Sequence, residues 1–484
     1  MVGAVPTAGG PNHERRHLAG VPPSPLRPRV SCRPAQPACS RQMCSRREPP
    51  SWGVQGMAST WVRMVTAVAA VGLVAAACGD DGDGEASDTT TASTEATGAP
   101  TEGGLVIGAL LPESGALSAI IQSLRVPMDL ALEEINGAGG VLGGDVRIAA
   151  ADDGTDDLTI AQTGWDRLVS SDGVNAVIGP ASSTLTEGLM SQIASSDVLA
   201  CSGSNTAAGL EDLEDNGRYF GLAPNDNLQG PALAEVVVAD GHGSVAILVR
   251  NDTYGTGFGD AVAEALGDLG VDVPFNEAYD PEGDSFTAET ERLAASGADA
   301  AVVIGFSTDG GKVVSAMIER GIGPTTLPLY TGDGMQGSSF WEAVGDSPAL
   351  VQGIKGTAPA AAPEGVEHPF QEQFAATGTD TIFSAYIYDC FTTLALAAEA
   401  AGSTDVDAMI EAMGEITSGD TPCVGFAECK ELLTAGDSIK VSGASGPLDL
   451  NEGGHVTSGA YDIWQYDPAG EPQTLDEPQI IIGR

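Results

Sequence analysis

Short apolar runs alternate with amphipathic stretches from residue 105 onward, and that alternation sets the fold class. Residues 105–111 (LVIGALL) predict a strand, and PESG after them a loop. Residues 127–135 carry apolar side chains at helical spacing and stop at Asn136-Gly137, a helix-ending pair. Strands follow at 145–151, 175–178 and 198–201, with helices at 158–170 and 184–195 between them. The pattern restarts after 219–222. Helices are predicted at 229–240, 258–269, 286–296 and 311–320, alternating with strands at 244–249, 273–279, 300–304 and 327–331. A long helix at 384–401, a shorter one at 406–413 and a strand at 459–466 complete the pattern. Such alternation predicts parallel sheets with helices on both faces. Two successive units of this kind imply two lobes and a cleft, with ligands held where loops leave the carboxyl ends of strands.

The chain ahead of residue 105 has a different character. Residues 64–77 (MVTAVAAVGLVAAA) are apolar, follow Arg63 and end at Cys78, which Gly79-Asp80-Asp81 follow. A short apolar core with a basic flank and small residues at its end reads as an export signal. It is too short for the ~20 apolar residues that span a bilayer. Ala75, Ala76 and Ala77 before Cys78 resemble a bacterial lipobox, in which the cysteine is acylated after cleavage. A lipobox more often has Leu where Ala75 stands; here Leu73 lies two places earlier. The competing reading is a plain secretory signal; under both, the body works outside the cytoplasm.

Residues 1–56 are rich in Pro and Arg, hold Cys32, Cys39 and Cys44, and carry eight Arg against two Glu. They lack helix or strand periodicity. An export signal begins at its own basic region, so a start at Met57 is expected and 1–56 reads as a non-native upstream extension, or else as a basic disordered one. Residues 78–104 are small, polar and acidic, and read as a disordered tether. A single acyl chain holds a membrane marginally, so stable anchoring at Cys78 requires multiple acylation.

From Cys78 onward there are 12 Lys and Arg against 65 Asp and Glu, a net charge of −53. That excludes nucleic-acid binding, which needs a basic face, and docking on anionic lipid. It otherwise serves solubility. Cys201, Cys390, Cys423 and Cys429 form an even set in an exported body, which predicts two disulfides. Cys423 and Cys429 bracket CVGFAEC and pair with each other, leaving Cys201 for Cys390. His242, His368 and His455 stand at no ligand spacing with a cysteine, so neither a metal nor a cofactor is expected.

A family resemblance rests on ordered segments across most of 105–466. They include IGALLPESG (107–115), LALEEINGAGGVLGGDV (130–146), VIGPASSTLT (177–186), LACSGSNTAAGL (199–210), APNDNLQG (223–230), NDTYGTGF (251–258), YTGDG (330–334), SAYIYDC (384–390) and SGPLDLNEGGHV (445–456). In order and spacing the chain resembles the branched-chain-amino-acid-type, Leu/Ile/Val-binding-like substrate-binding lipoproteins of ABC transporters. The resemblance implies an α/β fold of two Rossmann-like lobes joined by a three-segment hinge, the type I periplasmic binding fold. The first lobe would be 105–224 plus 356–440, the second 225–355 plus 441–484. Cys201 and Cys390 would then share the first lobe.

The resemblance also implies a ligand site between the lobes for an amino acid or a small amide or acid. Ser182, Ser183 and Thr184 lie between a strand end and a helix start. From the residues alone they are helix N-caps. The resemblance makes Ser182 or Ser183, with Ser183 favoured, the carboxylate-binding serine, beside the free N–H groups of the helix. In SGSNTA (202–207), Asn205 takes the role of a backbone carbonyl that receives the ligand ammonium and Thr206 that of a hydroxyl on its carboxylate; otherwise this is a polar turn. Asp333 matches the acidic residue that pairs with the amine, where the family often has the longer Glu; the plainer reading is an exposed turn. Tyr254 matches an aromatic that closes over the ligand, and Phe306 a second one, with Ser307 and Thr308 as alternatives. Ile120 and Ile121 stand where some members have an aromatic, which leaves the side-chain pocket open. Asp389 reads as structural.

The implied role is capture of the solute and its delivery to a membrane permease at the outer face of the cell membrane. An extracellular sensor that signals through a separate receptor uses the same fold. A secreted α/β enzyme would need a nucleophile with a base, and the chain has neither a G-x-S-x-G motif nor a histidine in an interpretable one.

Overall fold

A computed structural model describes residues 104–483. Cys78, the segments 1–56 and 57–77, and 78–103 lie outside the described residues.

The first lobe opens with β1 (Val106–Leu111), α1 (Ile121–Gly137), β2 (Arg147–Asp152), α2 (Leu158–Arg167), β3 (Ala176–Ile178), α3 (Ser183–Ser195), β4 (Leu199–Ser202) and β5 (Tyr219–Gly221). The strands form a parallel sheet in the order β2-β1-β3-β4-β5. Every residue of β1 is buried because helices cover both sheet faces. Val106 and Leu110 pack with Trp165 and Leu189 of α2 and α3, whereas Ile107, Ala109 and Leu111 face Leu124 and Met128 of α1. Asn136 exchanges two hydrogen bonds with the Val146 backbone and ties the end of α1 to the approach of β2.

The second lobe follows with α4 (Asp226–Ala239), β6 (Ser244–Arg250), α5 (Thr253–Asp268), β7 (Asp272–Tyr279), α6 (Thr287–Ser296), β8 (Ala300–Ile304), α7 (Ser307–Glu319), β9 (Leu329–Thr331), α8 (Phe340–Val344) and β10 (Lys355–Pro359). The chain then returns to the first lobe as α9 (Pro369–Ala375), α10 (Ser384–Ala401), α11 (Val406–Ser418), β11 (Thr421–Val424), α12 (Gly425–Ala435), β12 (Ile439–Gly443) and β13 (Gly446–Pro447). It ends in the second sheet as β14 (Gly459–Tyr466), β15 (Pro472–Thr474) and β16 (Ile480–Ile482). That sheet runs β15-β14-β10-β9-β8-β6-β7, with β16 also on β14. β14 lies antiparallel to β10.

The chain thus crosses between lobes three times. The first and third crossings lie side by side: Gly221 N–H donates to the Gly454 carbonyl and Val456 N–H to the Gly221 carbonyl, at 3.2 and 3.1 Å. The boundaries expected at 355/356 and 440/441 fall inside strands. β10 pairs with β9 and β14, so residues 356–359 stay in the second sheet. β12 pairs with β11 and β13 beside α10, so residues 441–447 stay with the first lobe. Asp389 holds that hairpin, accepting from Ala444 N at 2.8 Å and from Ser445 N and Oγ at 2.9 and 2.6 Å.

Cys201 of β4 is bonded to Cys390 of α10, and Cys423 of β11 to Cys429 of α12. α10 lies against the first sheet so closely that a Cβ on Gly203 would stand 2.5 Å from the Tyr386 carbonyl carbon.

Four helices start earlier than their sequence pattern predicts. α1 begins at Ile121 and carries Pro127 inside, and α4 begins at Asp226 with Pro231 inside. Proline reads as a start signal but is here tolerated one or two turns in. α5 and α7 include glycine-rich first turns, at TYGTG and STDGG. Gly255 and Gly311 serve packing there: a Cβ on Gly255 would meet the Arg250 carbonyl oxygen at 2.2 Å and one on Gly311 would meet Ala343 at 2.5 Å.

Candidate functional site

The carboxyl ends of both sheets face one cavity between the lobes. The first lobe contributes hydroxyls, from Ser182, Ser183, Ser204 and Thr206, and apolar walls, from Leu117, Ile120 and Phe383. The second contributes Tyr254, Phe306, Asp333 and Gly334. Its free volume is about 20 Å³, room for one or two water molecules. The lobes must therefore part to admit a solute.

The first-lobe wall is a helix end. Ser182 is the N-cap of α3, yet its hydroxyl caps nothing; it is buried and has no hydrogen-bond partner. The Thr184 hydroxyl is likewise buried and unpartnered. Ser183 Oγ accepts from Ala207 N at 3.4 Å, which joins α3 to the loop that carries Thr206. The first N–H groups of a helix lack intrahelical acceptors and the helix dipole is positive there, so this corner suits an anion. Asn205 does not line the cavity. Its side chain accepts from Thr186 Oγ1 and Tyr219 OH and donates to the Pro180 and Ala181 carbonyls, which fixes the loop from behind. Asp153 supports the same corner, accepting from Ala181 N at 2.9 Å; burial pushes its carboxyl up to about 7.

The second-lobe wall is acidic and aromatic. Asp333 is 5% exposed and accepts from Gln229 Nε2 at 2.8 Å. Burial raises its carboxyl to about 6, against the lowering effect of its hydrogen bonds. Behind it stands Asp226, fully buried at the start of α4, with neither carboxylate oxygen hydrogen-bonded. Burial first, and then the charge of Asp333, hold its carboxyl well above the usual range. Among the described residues no cationic side chain pairs with either acid. Tyr254 and Phe306 stack with centroids 5.6 Å apart and planes 12° from parallel, and Tyr254 OH accepts from Gly334 N at 3.4 Å.

Of the seven ligand residues expected from sequence, Ser182, Ser183, Thr206, Tyr254, Phe306 and Asp333 meet at this cavity and Asn205 stands behind it. Several partners escaped the sequence reading. Ser204 sits one place before the residue given the carbonyl role. Leu117 lies in the loop after β1. Phe383 occupies left-handed backbone, φ 59°, just before α10, a conformation uncommon outside glycine and frequent at functional sites. Gln229 was legible only as the start of a helix, and Asp226 fell outside the predicted helix. With hydroxyl and N–H donors on one side and an unpaired acid on the other, the two walls are chemically matched to a small molecule bearing an anion and a cation. No histidine, lysine or cysteine is among the residues that line the cavity.

Two lobes around a cleft with polar ends and apolar sides suit the capture of a small solute. The chain belongs to the periplasmic binding protein family, whose model matches residues 104–471, and the type I form of that fold is the one described above. Its solutes are thus taken up outside the cytoplasm, and no helix among the described residues is long and apolar enough to cross a membrane. A chemotactic signal transduction system substrate-binding protein of Halobacterium salinarum, BasB, is 26% identical over 76% of this chain and 88% of its own length. An amino acid binding protein of Pseudomonas aeruginosa is 27% identical over 62% of this chain and 80% of its own. The crystal structure of a leucine binding protein, LivK, from Thermotoga maritima superposes with a TM-score of 0.65 at 19% identity, covering 78% of this chain and 99% of that one.

Proposed function

We propose that the protein captures a neutral aliphatic L-α-amino acid between its lobes and hands it to an ABC transporter permease. The observation that carries this reading is Asp333, a buried carboxylate without a cationic partner, across a small cavity from the donor-rich start of α3. The ligand carboxylate would take Ser182, Ser183, Thr206 and the α3 N–H groups; its ammonium would take Asp333. Burying an ammonium costs several kcal/mol unless it is paired, which gives an acid there a purpose. Leu117, Ile120 and Phe383 would surround a side chain without hydrogen-bonding groups. The amino acid and leucine binding proteins among the relatives support the same class.

Thermal shift and calorimetry with L-leucine, L-isoleucine, L-valine and L-alanine test the proposal, since a ligand of the native state raises its melting temperature by mass action. 4-Methylpentanoate, which lacks the amine, and leucinamide, which lacks the carboxylate, should each bind much more weakly than leucine. Binding of 4-methylpentanoate as tight as that of leucine would refute the pairing with Asp333.

A second role is favoured by one observation, the similarity to a chemotactic binding protein. Loss of leucine uptake on deletion of the gene supports transport; retained uptake with lost taxis toward leucine supports sensing. In both roles we place the mature protein on the outer membrane surface through acyl groups on Cys78. Mass spectrometry should find an acylated N-terminal Cys78, and Cys78→Ala should release the protein from membranes.

A further inference from the structure

Arg250 is a second buried charge near the cleft, and it belongs to neither wall of the cavity. It ends β6, is 1% exposed, and its guanidinium meets three carboxylates: Asp252 at 2.6 Å, Asp309 at 2.9 Å and Asp156 at 2.7 Å. Asp252 and Asp309 are in the second lobe, as Arg250 is. Asp156 is in the first, on the loop after β2. The guanidinium also lies 3.8 Å from the centroid of the Phe306 ring, which stacks on Tyr254. One side chain therefore touches the opposite lobe and the aromatic wall at once.

The loop that carries Asp156 is tied to the first-lobe wall. Thr155, at φ 54°, accepts from Leu117 N with Oγ1 at 3.2 Å and donates from it to the Ser114 carbonyl at 3.0 Å. Asp153, three residues before Asp156, holds Ala181 N and Thr155 N. Both ends of the Asp156–Arg250 pair thus run directly into residues that line the cavity. A second contact crosses the lobes close by, from the Thr253 hydroxyl to Glu187.

We propose that Asp156 and Arg250 form a latch that holds the lobes closed and seats Phe306 against Tyr254, making both of them positioning residues of the site. The arrangement is reversible by construction. When the lobes part, Arg250 loses Asp156 but keeps Asp252 and Asp309, so no buried charge is stranded in the open state. Asp156 swings into water, where its charge is solvated; in the closed state its side chain is already 38% exposed. The latch then contributes the modest increment of a partly exposed ion pair, large enough to bias closure and small enough to let the ligand go. This rests on the ligand-capture reading for what fills the cavity, but lobe closure can be measured without any ligand.

Asp156→Asn and Asp156→Lys in the full chain, with Asp156→Glu as the conservative variant, test the latch. Stopped-flow binding of L-leucine should show a dissociation rate raised roughly 2- to 5-fold in Asp156→Asn, with the association rate close to that of wild type. Asp156→Lys should release faster still, and Asp156→Glu should restore most of the wild-type rate. The gap between wild type and Asp156→Asn should narrow at high salt. Small-angle scattering of ligand-free protein should show Asp156→Asn and Asp156→Lys more extended than wild type, with unchanged circular dichroism. If wild type does not bind L-leucine, the amino-acid reading fails and the scattering series alone decides the latch. Identical ligand-free scattering in all four proteins, or an Asp156→Lys protein that releases L-leucine at the wild-type rate, overturns it.

Discussion

The two walls of the cleft are built from the same βα units and hold opposite chemistry. On the first lobe the cavity meets uncharged donors: an unpartnered Ser182 hydroxyl, Ser183, Thr206 and the start of α3. On the second it meets Asp333, with Asp226 behind it, and two stacked rings. The lobes also differ in what holds them. Among the described residues both disulfides lie in the first lobe, whereas the second is organised around Arg250 and its carboxylates. A βα unit does not dictate the polarity of its loops. On the proposed reading the same architecture offers an anion site on one side and a cation site on the other, and lobe closure would measure the ligand between them.

The largest expected effect breaks the structural half of this contrast. Replacing Cys201 and Cys390 together by Ala frees a loop of sequence separation 189, worth about 5 kcal/mol in the loop-entropy account; the same change at Cys423 and Cys429, separation 6, is worth about 2 kcal/mol. Denaturant unfolding should rank the two variants in that order. Hydrogen exchange should rise in β4 and α10 and stay at wild-type levels in β6 and β8. Equal loss of protection in both lobes would mean that they do not differ in this way.

Next comes the charge across the cleft. Asp333→Ala should weaken binding of an amino acid by about 2–5 kcal/mol, because it leaves a desolvated ammonium unpaired. Ser182→Ala should cost less, about 1 kcal/mol, as one neutral hydroxyl among several donors. The two variants should separate cleanly on 4-methylpentanoate: loss of Asp333 should matter little without an amine, and loss of Ser182 should cost the same as with leucine. Calorimetry on both proteins with both compounds reads this, and an equal response to the two ligands in the Asp333 variant would place the ammonium elsewhere.

How much of this was legible in the sequence follows from what periodicity records. Strands such as 105–111 and 244–249 were plain because both faces are buried and nearly every position is apolar. The helix starts of α5 and α7 were hidden, since Gly255 and Gly310 in their first turns are set by contacts with the Arg250 backbone and Met335 that no local pattern shows. The small strands β11, β12 and β13 were missed because each is short and their pairing partners lie beyond a helix or turn. At the site, residues on strand-to-helix loops could be placed from the βα pattern and the resemblance, which is how Ser182, Thr206 and Asp333 were found. Phe383, Asp226 and Arg250 come from a hinge-side loop, a helix start and a strand end. Their importance depends on which distant groups they face, as Arg250 faces Asp156 across the cleft.

The smallest predicted effect concerns pH and tests which wall titrates. In the free protein the Asp333 carboxyl sits at about 6, above the ~3.9 of a solvated aspartate. An ammonium favours the ionised form, so the bound-state value must lie lower. Binding above pH 6 then meets a carboxylate that is already charged. As pH falls through 6, the free protein takes up a proton that the ligand must displace, and affinity declines until the bound-state value is reached. From pH 7.5 to 5.5 the dissociation constant for leucine should rise about fourfold for a group at 6. Stability of the free protein runs the other way. A folded-state value above the unfolded one means that the native state binds more protons between pH 4 and 6, so this group favours folding more as pH falls through that window. On the first-lobe side the acid that titrates in this range is Asp153, at about 7, and it stands behind the wall rather than lining the cavity, so Asp333→Asn should flatten most of the affinity profile and leave a weak site. Calorimetry in buffers of different ionisation heat should detect about half a proton released per leucine bound at pH 6 by wild type, and none by the variant. Proton release that persists in Asp333→Asn would transfer the titration to another buried acid, Asp226 on the same wall or Asp153 behind the first-lobe corner.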